Sequence, residues 1–568
     1  MKVLFIPCAK KIPSDMEIRF GDIPSIMVPI NKEPVLKKIH ASANEVFDLI
    51  LILTYDNSQF ISDYVSQMKF DNVQILNIDK LKDIGYTISY GLNYLESLYG
   101  LNTVENLTIN FGDTLVEDYD FFTNENLIAY ADVIDFERWT TFEFDDGRIL
   151  EILDKSENDV GKEFYHTFIG LFSISDVLKF NSLLKHSIKD SKTGVSADSF
   201  YNTIKQYNES YTFNFFHSGM WIDLGHSDNY MFKTSDETRF FNSIEIDKKR
   251  GIIKKSSSNW LKLTQEIEWY LNIPKDLKYL SPQILDYELN TLKTNVSLEY
   301  YNYPTLQEIY VFGNYSIDKW KLIFESIFFI QEEFSRYAKA FSEDDIKSAI
   351  TKMYVDKTLN RIEEYKTKKH LKLFFESDTI TINGKAYQSL KYFVENLSEL
   401  TKAMGLYETT YFNPIHGDFC FSNLLYDPLT NIIRVIDPRG SFGDFKIYGD
   451  SRYEYAKMFH CINGGYDLII KDLFDLKIVN GEIEYQIKKT EKHSVIRDLF
   501  IHKIKDKVES VEQIIFIEAV LFISMIPLHN DKPNRQVAML CTALKLMDSI
   551  FSFEKLTNNF TLNQLTYD

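Results

Sequence analysis

The stretch PIHGDFCFSNLLYD over 414–427, followed by VIDPRG over 435–440, sets His416, Asp418, Asn423 and Asp437 among apolar runs. In this order these residue types suit phosphoryl transfer. Asp418, in a loop, would accept the proton of a substrate hydroxyl. Asn423 and Asp437 are oxygen ligands of the kind Mg²⁺ takes while it keeps several waters and nucleotide phosphates. Such a reaction asks for metal, positioning and a base, and little more. NLLYD and IIRVID read as strands joined by the turn PLTN, a hairpin that would hold both ligands on one rigid base. The plainer reading is a chance run of turn-formers. It has to account for four residues in order with a hairpin between them.

A second constellation lies in the first half. INFGDTLVED ends a strand with Asp113, and MWIDLGHSDNY places Asp223 beside a glycine turn. Two aspartates brought together at strand ends can hold one Mg²⁺ between the α-phosphate of a nucleotide and a phosphate nucleophile. His217 and His226 flank Asp223 but have no carboxylate or cysteine companions at ligand spacing, so a zinc role is not assigned.

These residues need elements to carry them. Over the first ~230 residues short β-rich runs (KVLFIP, FDLILILTY, NVQILNI, NLTINFGD) alternate with helical patterns (EPVLKKIHASA, NSQFISDYVSQM, YTISYGLNYLESLY). That alternation implies βαβ units and a mostly parallel, Rossmann-like sheet, with ligands at the carboxyl ends of its strands. Near residue 240 the texture changes. FFNSIEIDKKRGIIKKSS reads as two short strands around a turn, NWLKLTQEIEWYLN as a helix, and VSLEYYNYPTLQEIYVFG as strand, loop and helix. From about 316 onward the pattern is mainly helical, apart from the hairpin. The expected division is 1–238, 239–313 and 314–568. The join near 240 carries neither Pro nor a Gly/Ser run, so closely packed domains are expected.

The totals exclude several classes. A chain of 568 residues is too long for one core. A formal net charge of −19 disfavours general binding to nucleic acid or anionic membrane, though a local basic pocket for phosphate remains open. Four scattered cysteines without a CxxC pair argue against a disulfide framework and for a reducing cytoplasm. IIFIEAVLFISMIP is shorter than a bilayer span and contains Glu518, which makes it a buried helix and not a membrane segment. Oligomeric state is left open.

With these residues in view, the second half resembles the aminoglycoside phosphotransferase and choline kinase group, small-molecule kinases with a protein-kinase-like, bilobal α+β fold. The likeness spans roughly 240–560 and is specific around 414–457. It implies Asp418 as base, Asn423 and Asp437 as metal ligands, ATP and Mg²⁺ as cofactors, an alcohol or sugar acceptor, and LEYYNYPTL as the hinge over the adenine. His416 then supports the loop. GDSRYEYAK resembles the segment after the metal aspartate, with Glu454 where Asp is usual. A kinase of this type needs a strand Lys on the phosphates and a helical Glu to orient it. Lys254 and Lys255 are available, with Glu266 and Glu268. Alternation sends the two lysines to opposite faces, so one points inward, and Lys255 with Glu266 is the preferred pair.

Residues 1–235 resemble the nucleotidyltransferases that make NDP-sugars and CDP-alcohols, an α/β GT-A-like fold. The likeness rests on GDT, WIDLGHSDNY, IPSIMVPINKEPVL and IGYTISYGLNYL. It implies Asp113 and Asp223 as metal ligands and an NTP such as CTP. The chain departs from that group in its first loop, PCAKKIPSDMEIRFGDIP, which has one late glycine, Gly21, and Ser25 where a lysine is usual. Lys10, Lys11 or Arg19 would have to supply the charge. Together the resemblances imply a kinase joined to a nucleotidyltransferase, making an activated sugar, polyol or amino alcohol for a bacterial surface polysaccharide. The competing reading is an active kinase with a non-catalytic, nucleotide-binding or scaffolding first domain.

Overall fold

The computed structural model describes residues 1–568 except 57, 117–124, 135, 156–162, 191–197, 220, 226–229, 231–241, 291–293 and 552–568. His226 and the expected boundary at 238/239 lie outside the described residues. The chain divides into two units, Met1–Ser235 with Phe312–Asn314, and Asp236–Val311 with Tyr315–Asp568.

The first unit is α/β. Four strands, Lys2–Pro7, Leu49–Thr54, Val73–Asn77 and Asn106–Asn110, run parallel, with the first strand between the second and the fourth. The run LILILT is buried at every position, as a strand covered on both faces requires. Helix Ile84–Leu98 starts where the Asp83 carboxylate accepts the Tyr86 N–H at 2.7 Å, and it buries Ile88, Leu92 and Leu95. Its Gly91 lies against the sheet, where a Cβ would stand 2.8 Å from the Phe5 ring. Chain order reverses at strand Lys2–Pro7, so a crevice opens at the carboxyl ends of Lys2–Pro7 and Asn106–Asn110. Sequence periodicity found these four strands. It did not find the largely antiparallel extension that makes the sheet mixed: Tyr165–Ile174 beside Asn106–Asn110, then Thr140–Asp145 and Arg148–Asp154, with Leu127–Val133 antiparallel to Tyr165–Ile174 and Asn214–His217 parallel to Leu127–Val133.

The second unit is α+β. Strands Asn242–Asp247, Ile252–Ser257, Thr294–Glu299 and Ile284–Glu288 form an antiparallel sheet in that order, and helix Trp260–Asn272 joins its second strand to the rest. Next come helices and the hairpin Leu424–Asp427/Ile432–Val435. The expectation of a mainly helical remainder needs one correction. Thr379–Ile382, Lys385–Gln388, Phe474–Val479 and Glu482–Ile487 form a further four-stranded sheet. Its hairpins turn at Asn383-Gly384 and Asn480-Gly481, all four residues at positive φ, a strong turn signal that the long helical runs on either side obscure.

Helix Val511–Ser524 is buried almost throughout, and among the described residues no helix is long and apolar enough to cross a membrane. Within it the fully buried Glu518 accepts from Asn463 Nδ2 at 2.9 Å. Burial pushes its carboxyl from the ordinary 4.5 up to about 8. An unfolded glutamate releases its proton near the ordinary value, so between those limits the folded chain holds a proton that the unfolded chain has lost. Stability therefore falls as pH rises through this window. Glu518→Gln, which stays neutral, is expected to flatten that decline in melts from pH 5 to 8. Equal slopes for variant and wild type would contradict the assignment.

Candidate active sites

In the second unit, strand Ile252–Ser257 exposes Lys254 and buries Lys255, as alternation requires. Lys255 Nζ meets Glu266 Oε1 at 2.6 Å and Asp437 Oδ1 at 2.7 Å. Glu268 instead pairs with Lys446 at 3.2 Å. Burial works against the Lys255 charge, but Asp437 and Glu266 outweigh it and hold the ammonium above its usual value. Burial likewise favours a protonated Asp437, but Lys255 keeps that carboxyl below its usual value.

The hairpin brings Asn423 to Asp437. Leu424 pairs with Val435, and the Ile436 N–H donates to Asn423 O at 3.0 Å, so the two candidate ligands flank one hairpin base. Asn423 Nδ2 donates to Asp418 O at 2.9 Å and to Asp418 Oδ2 at 3.1 Å, which ties the loop to the hairpin. Asp437 adopts φ 58°, a left-handed conformation tolerated by Asp, and keeps half of its side chain exposed.

Asp418 sits on a loop fixed from several sides. Its Oδ1 pairs with Lys457 Nζ at 2.8 Å. Burial favours its protonation, yet Lys457, aided by Arg439, holds the carboxyl well below the usual range. His416 is fully buried. Its Nε2 lies 2.9 Å from Ile436 O, and its Nδ1 accepts the Asp418 N–H at 3.3 Å, the pattern of one neutral tautomer. Burial lowers this ring to about 4. Glu454 accepts the N–H groups of His416 and Gly417 at 2.8 and 2.9 Å, so its carboxylate shapes the loop from below. Trp269 Nε1 donates to Ile415 O at 2.6 Å, linking the helix of Glu266 to the same loop.

Gly440 is a joint between these parts. It has φ 74°, and a Cβ there would stand 2.0 Å from Gln265 O, the residue before Glu266. Gly440→Ala is expected to displace that helix, lower stability by about 1–3 kcal/mol and weaken ATP binding. A melt and a nucleotide titration check both. An alanine variant with unchanged melting and affinity would show that the helix does not rest on this contact.

In the first unit, Asp113 and Asp223 come together. Strand Trp221–Asp223 pairs with Thr114–Val116, aligning Asp223 with Thr114, and the Leu224 N–H donates to Asp113 O at 2.7 Å. A Cβ on Gly225 would lie 3.0 Å from Asp223 Oδ1 and 3.3 Å from Asp113 Oδ2, so both carboxylates face the same small space. Asp223 Oδ1 accepts from the Gly225 N–H at 2.8 Å and its Oδ2 from Trp139 Nε1 at 3.0 Å. Gly112 allows the close approach behind Asp113, since a Cβ there would meet Cys8 Cβ at 2.5 Å. Ser25 is buried in a short turn Ser25–Met27. Lys10 is exposed, Lys11 pairs with Asp22 at 3.0 Å, and the Arg19 guanidinium lies 5.5 Å from the Phe20 ring.

Among the described residues no group of three or more His, Cys, Asp or Glu gathers for a metal ion. Each candidate pair is a hard-oxygen set of two: Asn423 with Asp437, and Asp113 with Asp223. That fits Mg²⁺ completed by phosphates and water, and does not fit zinc. Sequence reasoning missed Lys457 and Trp139. Lys457 lies one turn after Tyr453 on the helix following the metal-type aspartate, a spacing that can be read. Trp139 reaches Asp223 from the antiparallel extension and carries no local signal.

No family model and no curated protein matches the chain. Among solved structures, it is similar to HddC from Yersinia pseudotuberculosis complexed with GMP-PN (19% identity, 41% of this chain and 98% of that one, TM-score 0.31). It is also similar to LicC, the CTP:phosphocholine cytidylyltransferase of Streptococcus pneumoniae (15% identity, 40% and 96%, TM-score 0.32). A third is a thermostable mutant of the aminoglycoside phosphotransferase APH(4)-Ia in a ternary complex with AMP-PNP and hygromycin B (12% identity, 55% and 92%, TM-score 0.34).

Proposed function

We propose that the chain is a bifunctional enzyme. Its second unit transfers the γ-phosphoryl group of ATP to an alcohol. Its first unit joins a phosphate to a nucleoside monophosphate drawn from an NTP, releasing pyrophosphate. The observation that carries the kinase half is the linked set Lys255–Glu266–Asp437 and Asn423–Asp418–Lys457. In it, a buried ammonium held charged stands beside a candidate metal ligand, and an ionised carboxylate, fixed by Lys457 and Asn423, keeps part of its surface exposed to face a hydroxyl. Mg²⁺ held by Asn423 and Asp437 would neutralise charge on the phosphates. Lys255 would grip the phosphates, oriented by Glu266, and Asp418 would align the acceptor hydroxyl and take its proton. Its low basicity suits a loose transition state, in which the hydroxyl proton leaves late.

The convergence of Asp113 and Asp223 supports the transferase half, where that pair would hold Mg²⁺ against the α-phosphate. A specific observation favours the alternative, a first unit that binds without turnover: the opening loop has one glycine, and Ser25 is buried where the resemblance implies lysine. A panel decides between them. Protein and Mg²⁺ are incubated with each NTP and a set of sugar and alcohol phosphates, and products are read by mass for phosphate gain and then nucleotide gain. Pyrophosphate from one pair supports the bifunctional reading, and none from any pair leaves the kinase alone. The same reading assigns the product to surface-polysaccharide synthesis in a reducing cytoplasm, in keeping with four free cysteines.

A further inference from the structure

Beside Asp418 the second unit gathers four basic side chains from three segments. Lys357 and Arg361 stand one turn apart on helix Lys357–Glu363 and share a face. Lys457 stands one turn after Tyr453 on helix Ser451–Ile462, and Arg439 follows Asp437 in its loop. Three of them meet at the buried Tyr453. Lys357 Nζ lies 5.3 Å and Lys457 Nζ 5.9 Å from its ring centre, and Arg439 Nη1 donates to its hydroxyl at 3.2 Å. Arg361 is steadied by a 3.0 Å bond from Nη1 to Ser524 O. Lys457 pairs with Asp418, but among the described residues no carboxylate forms an ion pair with Lys357, Arg361 or Arg439. Burial pushes the Lys357 ammonium well below its usual value, and the charges of Arg439, Arg361 and Lys457 push the same way. Asp418 acts against them. In a chain of net charge −19, so local a positive excess is not a by-product of composition.

Like charges in a half-buried space repel and are poorly solvated unless a ligand brings the opposite charge. We propose that Lys357, Arg361, Arg439 and Lys457 form an oxyanion pocket on the acceptor side of Asp418, so that the alcohol phosphorylated by this unit already carries a phosphate or carboxylate group. The inference rests on the kinase reading above, because Asp418 marks the side from which the hydroxyl enters. Arginine forks match both oxyanions. A quaternary ammonium acceptor would be repelled.

The test is calorimetric titration of the full chain with inorganic phosphate, glucose 6-phosphate, glucuronate, glucose and choline, each with and without prior saturation by Mg²⁺ and a non-hydrolysable ATP analogue. The wild type is expected to bind at least one anion about tenfold or more tighter than glucose, and not to bind choline. The glucose 6-phosphate and glucuronate arms tell phosphate from carboxylate. Lys357→Met with Arg361→Gln is expected to weaken anion binding about tenfold or more while leaving the analogue's affinity unchanged. Lys357→Met alone, which relieves repulsion, is expected to melt no lower than the wild type and to lose the stabilisation by anion. The inference is overturned by anions binding no better than glucose, by unchanged anion affinity in the double variant, or by a loss confined to the ATP analogue, which would assign the cations to the donor. If the analogue does not bind the wild type but the double variant still loses anion affinity, the kinase reading falls and the pocket stands.

Discussion

Asp418→Asn is expected to lower phosphate transfer from ATP by about 10²–10⁴-fold, the range for loss of a positioned acid or base. The substitution keeps the shape of the side chain, so Asn423 Nδ2 still finds an oxygen, but it can no longer take a proton. It also removes the counter-charge of Lys457, whose side chain is 8% exposed. A buried cation left without its partner is destabilising. Some loss of melting temperature is therefore expected from Asp418→Asn, and Asp418→Asn with Lys457→Met separates the effects by restoring stability without restoring turnover. ATP affinity should change little, since Asp418 pairs with Lys457 and not with Lys255. If ATP turnover to an acceptor survives in Asp418→Asn, the base is elsewhere.

Asp223→Ala is expected to reduce pyrophosphate release by at least about 100-fold, because even partners one layer outside a metal's ligands change its affinity about 10–100-fold. The residue is 6% exposed and fixed by Trp139 and Gly225, so its carboxylate is pre-aimed beside Asp113. The second unit supplies the internal control. ATP-dependent phosphorylation by the same protein should persist, and an unchanged melting profile of the variant distinguishes loss of a ligand from loss of the first unit's fold. Trp139→Phe, which removes one donor but keeps the ring, should give a smaller defect that excess Mg²⁺ partly restores. If the wild type releases pyrophosphate and Asp223→Ala does so at the same rate, the pair holds no catalytic metal.

The four parallel strands of the first unit and the helices between them were legible because continuous apolar runs and helical spacing act over a few residues. LILILT and the Ile88–Leu92–Leu95 stripe state their burial directly. In the extension from Leu127 to His217 the hairpin Thr140–Asp145/Arg148–Asp154 does carry a turn signal, Asp146-Gly147 at positive φ, but the pairings of Tyr165–Ile174 with Asn106–Asn110 and of Asn214–His217 with Leu127–Val133 join residues far apart in sequence and leave no local trace. In the second unit the turns Asn383-Gly384 and Asn480-Gly481 were present in the sequence but lay between helical runs.

The sequence by itself determined which residue types stood available for phosphate chemistry, and through the period-two alternation of one strand it determined that only one of Lys254 and Lys255 points inward. Which inward lysine meets which carboxylate was decided by the tertiary structure, because Lys255, Glu266 and Asp437 come from a strand, a helix and a loop 182 positions apart at their extremes. Charge interactions act through space and fall with distance, so the ionised Asp418, the neutral His416 and the basic group around Tyr453 arise from what folding places beside them. Apart from His416 beside Asp418 and Tyr453 one turn before Lys457, those neighbours come from separate segments of the chain, and that is why local pattern named the residues while packing set their states.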